Sequence, residues 1–132
     1  MASRPGEPPA AAVPAKPPSR AAAIARLALD AACAFQGVLG GTSGRGARWK
    51  TPDRDGAVLG AIAVARADGR FDVELHLIAR PVPLHPLGER IRDRIDRDAR
   101  KAGVSELVGP IHIAFEDIEE KPRSSASAGR AS

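Results

Sequence analysis

The residues of this 132-residue chain that could do chemistry are three histidines, one cysteine and a few acidic clusters. A nucleophilic site needs a nucleophile, a base and a group that orients the base, all within hydrogen-bond reach of one another. No such set stands at a recognisable spacing, and the acidic end Glu116–Glu120 does not supply a metal-ligand pattern. We therefore predict a protein that is not an enzyme, with no metal, no other cofactor and no small-molecule substrate.

Cys33 lies inside an alanine-rich helical pattern, and no histidine stands near it in the sequence. Reactive cysteines need an electropositive setting, whereas free cysteines are often buried as small apolar residues. We interpret Cys33 as a packing residue. As the only cysteine it excludes an intramolecular disulfide and any site with several cysteine ligands, which fits a reducing cytoplasm.

Two short segments contain residue types that are suited to recognition. Trp49 stands between Arg48 and Lys50, and tryptophan combines a large contact area with a polar N–H group. The other interpretation, which we favour, is that Trp49 packs over the edge of the domain. Further along, alternate polar side chains share one face of a predicted strand, where we interpret His76 as an exposed cross-strand residue. The candidate interaction residues are Arg45, Arg48, Trp49, Lys50, Asp72, Glu74 and His76.

The segment 40–56 contains five glycines and four basic residues, and we interpret it as a long flexible connector. Within it, Gly41-Thr42-Ser43-Gly44 followed by Arg45 superficially matches the GXXG turn with which KH domains contact the nucleic-acid backbone. Such short patterns arise easily by chance in glycine-rich sequence. A KH-like nucleic-acid-binding module therefore stays open as the alternative function.

The basic character of the chain comes from its two ends. The formal net charge is +4 and the isoelectric point is near 10.0, which by themselves suggest a nucleic-acid binder. Residues 21–120, however, carry 14 basic and 15 acidic side chains, so the excess lies outside them. One tryptophan, three phenylalanines and no tyrosine also leave few platforms for stacking bases. Nucleic acid is therefore not the partner that we predict.

The apolar pattern predicts five elements in the order helix, strand, strand, helix, strand. Ser19 is a suitable N-cap for the first helix, which we expect to end at Gly37. Asp68-Gly69 predicts a hairpin between strands 57–66 and 71–80, in which Val58, Ile62 and Val64 form the apolar side of the first strand. The apolar side of the second strand is predicted to comprise Phe71, Val73, Leu75 and Leu77.

The second helix should begin near Pro86 and end at Gly103, and the last strand alternates through Ile111, Ile113 and Phe115. The predicted fold class is thus a small single α+β domain over residues 20–120, with a three-stranded sheet packed by two helices. Residues 1–19, with six prolines, and 121–132 are predicted to be disordered tails. No apolar run approaches the length of a membrane span or of a signal-peptide core.

Four pieces of this pattern together resemble the alkaline shock protein family of bacterial envelope stress response proteins, also called the Gls type. They are the alanine-rich helix ending in Gly37-Val38, the strand FDVELHLIAR, the turn and helix VPLHPLGERIRDRI and the closing strand IHIAFEDI. The resemblance extends over about residues 21–119. The high Arg, Ala and Gly content resembles that of an actinobacterial member.

This resemblance implies no catalytic residues. It implies a cytoplasmic protein that self-assembles and associates with the inner face of the membrane through a small anchoring protein. The predicted sheet is compatible with these expectations, because an exposed edge strand can pair with another chain and a wet sheet face offers a docking surface. We therefore expect a homo-oligomer and a small membrane-anchor partner.

Overall fold

The computed structural model describes residues 19–54 and 56–120. The predicted tails, apart from Ser19, lie outside these residues, so their order stays a prediction. Two helices lie on one face of a four-stranded sheet, and a two-stranded hairpin adjoins it. The predicted α+β class with two helices is confirmed. The main sheet has one strand more than predicted, and the additional hairpin was not predicted at all.

The first helix, α1, spans Arg20–Cys33. Its N-cap is Ser19, as predicted, and the Ser19 hydroxyl accepts a hydrogen bond from the Ala22 N–H at 3.0 Å. The helix ends before the predicted stop at Gly37, and Ala34 is its C-cap. Its buried face is mostly alanine and comprises Ala22, Ile24, Ala25, Ala28, Ala31 and Ala32. A face of such small side chains lets the helix axis come close to the sheet.

The main sheet is built around the long strand β5, Phe71–Ala79. On one side, β5 pairs antiparallel with two short strands placed end to end, β1 (Val38–Gly41) and β4 (Ala61–Ala65). On the other side it pairs with the parallel strand β6, Val108–Ile118. The hairpin predicted at Asp68-Gly69 joins β4 to β5, and Gly69 has φ +90°.

The segment predicted to be a flexible connector is folded, so that prediction was wrong. After β1 it forms a 3₁₀ turn, Arg45–Ala47, and then a hairpin of β2, Lys50–Asp53, with β3, Gly56–Leu59. The hairpin is fastened to the main sheet by Thr51, whose buried hydroxyl donates to Ala61 O at 2.8 Å and accepts from Ala63 N at 3.0 Å. The Thr51 side chain thus makes the two hydrogen bonds that a neighbouring strand would otherwise make with this edge of β4.

The predicted strand 57–66 is in fact two strands, because the chain turns at Gly60 with φ +88°. The buried face also differs from the prediction: Ala61 and Ala63 face the helices, whereas Ile62 and Val64 lie on the other face of the sheet. Small side chains on β4 thus meet the alanine face of α1. The prediction for β5 is confirmed, since Val73, Leu75 and Leu77 are fully buried and Phe71 packs against the core.

The second helix, α2, spans Leu84–Ala102 and ends, as predicted, at Gly103 in the left-handed conformation. It connects β5 to β6 across the helix-bearing face, as a parallel pair of neighbouring strands requires. Along α2, Arg100 forms an ion pair with Asp96, and Arg94 pairs with Asp98 at 3.0 Å. Neither helix of the described ranges has the length and apolar character needed to cross a bilayer.

Candidate functional site

His76 is the central residue of the sheet face opposite the helices, which we call the outer face. It lies on β5 and is only 8% exposed, so the prediction of an exposed histidine was wrong. His76 also lies at the point along β5 where the neighbouring strand changes from β1 to β4. The His76 carbonyl accepts from Thr42 N at 2.8 Å, and its N–H donates to Gly60 O at 2.9 Å.

Trp49 covers His76. The two rings are stacked with their centroids 4.1 Å apart and their planes inclined by 2°. The Arg48 guanidinium carbon lies 5.4 Å from the centroid of the indole, within the range of a cation–π contact. Arg48, Trp49 and His76, which were predicted separately as interaction residues, therefore belong to one cluster.

The path of the chain between β1 and β2 places Trp49 on the sheet. Gly44 and Gly46 have φ near +75° and +73°, and Ala47 follows at +53°, so the backbone turns tightly. Trp49 N donates to Ser43 O at 2.9 Å, and Trp49 O accepts from Gly60 N at 2.7 Å. These bonds hold the main chain of Trp49 at both ends and fix the position of the indole.

Both glycines of the GXXG-like pattern have packing roles in this turn. A Cβ atom on Gly44 would lie 2.6 Å from the Trp49 ring, and one on Gly41 would lie 2.9 Å from the Leu29 side chain. The Thr42 hydroxyl between them accepts from Gly44 N at 3.2 Å. The spacing of these glycines is therefore explained by packing, without a phosphate ligand.

Two carboxylates flank the ring of His76. Its Nδ1 lies 2.7 Å from Glu116 Oε2, and its Nε2 lies 2.9 Å from Glu74 Oε1. An ionised carboxylate only accepts hydrogen bonds, so both contacts are made together when both ring nitrogens carry hydrogen or when one carboxyl is protonated. The three side chains thus form one hydrogen-bonded cluster at the centre of the outer face.

This arrangement does not resemble a catalytic or metal site. Each ring nitrogen of His76 is occupied by a carboxylate, and the carboxylates lie on opposite edges of the ring, so they do not converge on one ion. Across the described ranges 19–54 and 56–120, no group of three or more histidine, cysteine or acidic side chains could hold a metal. The chemistry that this cluster supports is structural: it attaches the segment 42–60 to β5 and β6.

The remaining predicted interaction residues lie apart from His76. Arg45 lines an open depression of about 620 Å³ beside Trp49, together with Glu116 and Asp117. Lys50 is exposed at the start of β2, opposite Leu59. Asp72 forms an ion pair with Arg66 at 2.8 Å, near the turn between β4 and β5. The structure therefore unites Arg48, Trp49, Glu74 and His76, adds Arg45 at their margin, and leaves Lys50 and Asp72 outside.

Glu116 is the member of the cluster that the sequence analysis missed, because it was interpreted as part of an acidic solvated end. The alternation in β6 contained a usable signal, since His112, Ala114 and Glu116 occupy one face. What the pattern did not contain was the parallel register that puts His76 beside Ala114 and so brings Glu116 within reach of the ring.

Cys33 is exposed at the end of α1, so the prediction that it packs in the core was wrong. Partial desolvation of its thiol raises the pKa of Cys33, and the negative charge of Asp30 raises it further. A raised pKa reduces the thiolate fraction at neutral pH. Cys33 therefore lacks the activation expected of a nucleophile.

The second feature that bears on function is the outer edge of β6. Main-chain groups of alternate residues in a strand point to opposite sides. Those of His76 bond to Gly60 and Thr42, so those of Leu75 and Leu77 point to β6. In the parallel register Leu75 lies beside Ile113, and Leu77 beside Phe115. Because the bonds of a parallel pair are slanted, they reach the β6 residues that flank these neighbours, which are His112, Ala114 and Glu116. The intervening residues of β6 direct their N–H and C=O groups away from β5. They are Ile111, Ile113 and Phe115.

In the described part of the chain, β6 pairs with β5 alone. Among the contacts of the described residues, one outward group of this edge is engaged: the Ile111 carbonyl accepts from Arg92 Nε at 3.1 Å. Beside this edge, a groove of about 200 Å³ lies between β6 and α2, lined by Leu84, His85, Gly88, Arg92, Ile113 and Phe115. The edge therefore combines free strand hydrogen-bonding groups with an adjacent, partly apolar groove.

Comparison of the chain with protein-family models, curated proteins and solved structures found no match. The resemblance to the alkaline shock family therefore stays a prediction that depends on the sequence patterns given above.

Proposed function

We propose that this protein is a non-enzymatic interaction protein of the alkaline shock type, which acts in the envelope stress response by self-association and by docking to a membrane-anchoring partner. The observation that carries the proposal is the open edge of β6, an eleven-residue strand that, within residues 19–54 and 56–120, has a neighbour on one side only. An unpaired edge of this length is a template for strand addition, in which main-chain bonds supply affinity and side-chain pockets supply specificity.

The groove beside the edge supports the same proposal. In strand addition, alternate side chains of the incoming strand point towards the helix-bearing face of the sheet. The half-buried side chains of Ile113 and Phe115 and the surface of α2 near Gly88 give those side chains an apolar lining. A second copy of the chain and a segment of a small anchor protein can both bind in this way.

The contacts of the His76 ring support a role other than catalysis. A general base needs a free ring nitrogen close to the proton that it removes. In His76 both nitrogens contact carboxylates, and the face of the ring is covered by Trp49. We assign this cluster the task of holding the outer face rigid, so that β6 is presented in one conformation.

Light scattering coupled to size-exclusion chromatography of the full chain tests self-association. We expect a mass that rises above 13.7 kDa as the concentration increases. Ile113→Pro removes one outward N–H without removing a bond to β5, so it should return the chain to a monomer that keeps its circular dichroism spectrum. Ala67→Pro, in the turn after β4, is the matched control and should leave the mass unchanged.

A wild-type chain that stays monomeric up to millimolar concentration would contradict self-association. Docking is tested by flotation with anionic vesicles that contain membrane proteins extracted from the native cell, compared with vesicles of lipid alone. We expect the chain to float only with the first. Flotation with lipid alone would show direct lipid binding and contradict the anchored mode.

A further inference from the structure

We infer that the partner of the β6 edge is β6 of a second copy, antiparallel and centred on Ile113, so that two copies form one continuous eight-stranded sheet around a two-fold axis. The inference builds on the self-association proposed above and adds its geometry. Three features of the described residues favour this partner and this register: the hydrogen-bonding groups of the edge, the charges at the two ends of β6, and the groove.

The outward N–H and C=O groups of β6 in one copy can pair with the same groups of a second copy when the two-fold axis passes through Ile113. In an antiparallel pair, residues that direct their main-chain groups at each other exchange two hydrogen bonds. Centring on Ile113 pairs this residue with its own copy and pairs Ile111 with Phe115 of the second copy. All three outward-facing residues are used on both chains. The Ile111 carbonyl, which already accepts from Arg92, has a second lone pair for the new bond.

Other centres use fewer of these groups. A two-fold axis at Phe115 would oppose Ile113 to Asp117, beyond the irregularity in the ladder between Leu77 and Ile78 of β5. Past that point the Ile118 N–H is already bonded to the Asp117 side chain at 2.8 Å. The free stretch of the edge is thus short, and Ile113 is its middle.

The charges at the two ends of β6 are opposite. At its start, the Arg70 guanidinium donates to Val108 O at 2.9 Å. At its end stand the carboxylates of Glu116 and Asp117. Antiparallel pairing places the acidic end of each strand at the basic end of the other, whereas parallel pairing would place like charges together.

The groove accepts the side chains of the second copy. In the proposed register Ile113 faces its own copy and Ile111 faces Phe115, both on the helix side of the sheet. A Cβ atom added to Gly88 of α2 would have no neighbour closer than 3.8 Å, so the groove is open above this residue. Half-buried Ile113 and Phe115 would lose their remaining contact with water there.

Site-specific disulfide formation tests the register. In the proposed pair His112 lies directly opposite Ala114 of the second copy as a non-hydrogen-bonded pair, with Cα atoms about 4.5 Å apart. Two copies of His112, or two of Ala114, lie about 8 Å apart, beyond the reach of a disulfide. Both side chains are on the outer face, so cysteine there leaves the core and the groove unchanged.

The experiment uses the full chain with Cys33→Ser as the background. An equimolar mixture of the His112→Cys and Ala114→Cys variants should form a crosslinked dimer under mild oxidation, at least tenfold more than either variant alone. Crosslinking of one variant with itself would establish another register and overturn the inference, while leaving self-association intact. A wild-type chain that remains monomeric would overturn both the register and self-association. So would the finding that β6 pairs only with a strand of another protein.

Charge exchange gives a second, independent readout. Arg70→Glu and Asp117→Arg should each raise the dissociation constant of the dimer, by about three- to fivefold for exposed pairs of this kind. The double variant restores opposite charges across the proposed interface and should recover most of the wild-type affinity. Additive losses in the double variant would contradict the antiparallel arrangement.

Discussion

The indole of Trp49 and the imidazole of His76 lie face to face, 4.1 Å between centroids and 2° from parallel. The contact joins the segment after β1 to the central strand β5. It also closes the solvent side of a ring whose two nitrogens meet Glu74 and Glu116. Three distant stretches of sequence, around Trp49, on β5 and on β6, thus depend on one cluster, and substitutions within it should have graded effects on stability.

Replacement of the indole tests the contribution of stacking. Trp49→Ala should lower the free energy of unfolding by about 2–3 kcal/mol, somewhat less than for a fully buried tryptophan because this residue is half-buried. Urea titration followed by circular dichroism is the measurement, since Trp49 is the sole tryptophan and fluorescence is lost with it. The adjacent exposed substitution Lys50→Ala is the control, and equal effects of the two would contradict a structural role for the stack.

The two carboxylates beside His76 should differ in importance. The side chain of Glu116 is 30% exposed and that of Glu74 is 52% exposed. Because solvent weakens the more exposed contact, Glu116→Gln should cost about 1–2 kcal/mol and Glu74→Gln less than about 1 kcal/mol. Urea titrations of both variants at pH 7 check this order. The reverse order would show that Glu116 does not hold the ring.

Thr51 tests how the hairpin is fastened to the sheet. Thr51→Val keeps the shape of the side chain but leaves Ala61 O and Ala63 N, both buried, without their partner. The expected loss is about 2–3 kcal/mol. Thr51→Ser keeps the hydroxyl and should lose about 1 kcal/mol from the missing methyl group. Similar losses in the two variants would indicate that the methyl group, and not the hydroxyl, fastens the hairpin.

Alanine substitutions at Gly60 and Gly69 distinguish the stability cost of backbone strain from the cost of steric crowding. Their φ angles are +88° and +90°, but a Cβ on Gly60 would lie 2.8 Å from Gly41 Cα, whereas one on Gly69 would meet nothing within 4 Å. Gly69→Ala should therefore lower the free energy of unfolding by only about 1–2 kcal/mol, the cost of placing alanine in the left-handed conformation. Gly60→Ala should lower the free energy of unfolding by clearly more, or prevent folding, because the backbone at Gly41 must move to make room for the methyl group. Thermal unfolding of both variants decides between these outcomes.

The hydrogen bond from Arg54 N, aided by the Arg26 side chain, lowers the pKa of Asp53 from its ordinary value of 3.8. A carboxyl with a lowered pKa in the folded state stabilises the protein above pH 3.8, and that contribution is lost as the pH falls through the folded-state pKa. Asp53→Asn should therefore lower Tm at pH 7 but make progressively less difference below about pH 4. A difference that stays constant between pH 7 and pH 3 would contradict this linkage.

Several elements follow from local sequence because the interactions that define them are local. Ser19 caps α1 through a bond to the residue three positions on, and Gly103 ends α2 because glycine adopts a positive φ without a steric penalty. The turn at Asp68-Gly69 and the alternation of β5 are equally local. These features were predicted correctly from residue type and spacing.

The segment between β1 and β4 could not be predicted in this way. Its glycines and charges are typical of a mobile loop, yet Thr51 bonds to β4 and Trp49 stacks on β5. Similarly, Ile62 and Val64 form the more apolar side of their strand, but the alanines face α1. Sheet faces are chosen by what packs against them, and a helix with an alanine face fits best over small side chains.

Local sequence thus specified the α+β class, the two helices, the N-cap of α1, the C-cap of α2 and the buried side of β5, because each depends on residues within a few positions of one another. The burial of His76, its contact with Glu116 and the open edge of β6 depend on strand order and register. Register arises only when β5 has paired on both sides, so residue spacing along the chain did not contain it. Only the tertiary structure therefore decided that the outer face is held by a histidine and that, among the described residues, β6 pairs on one side only.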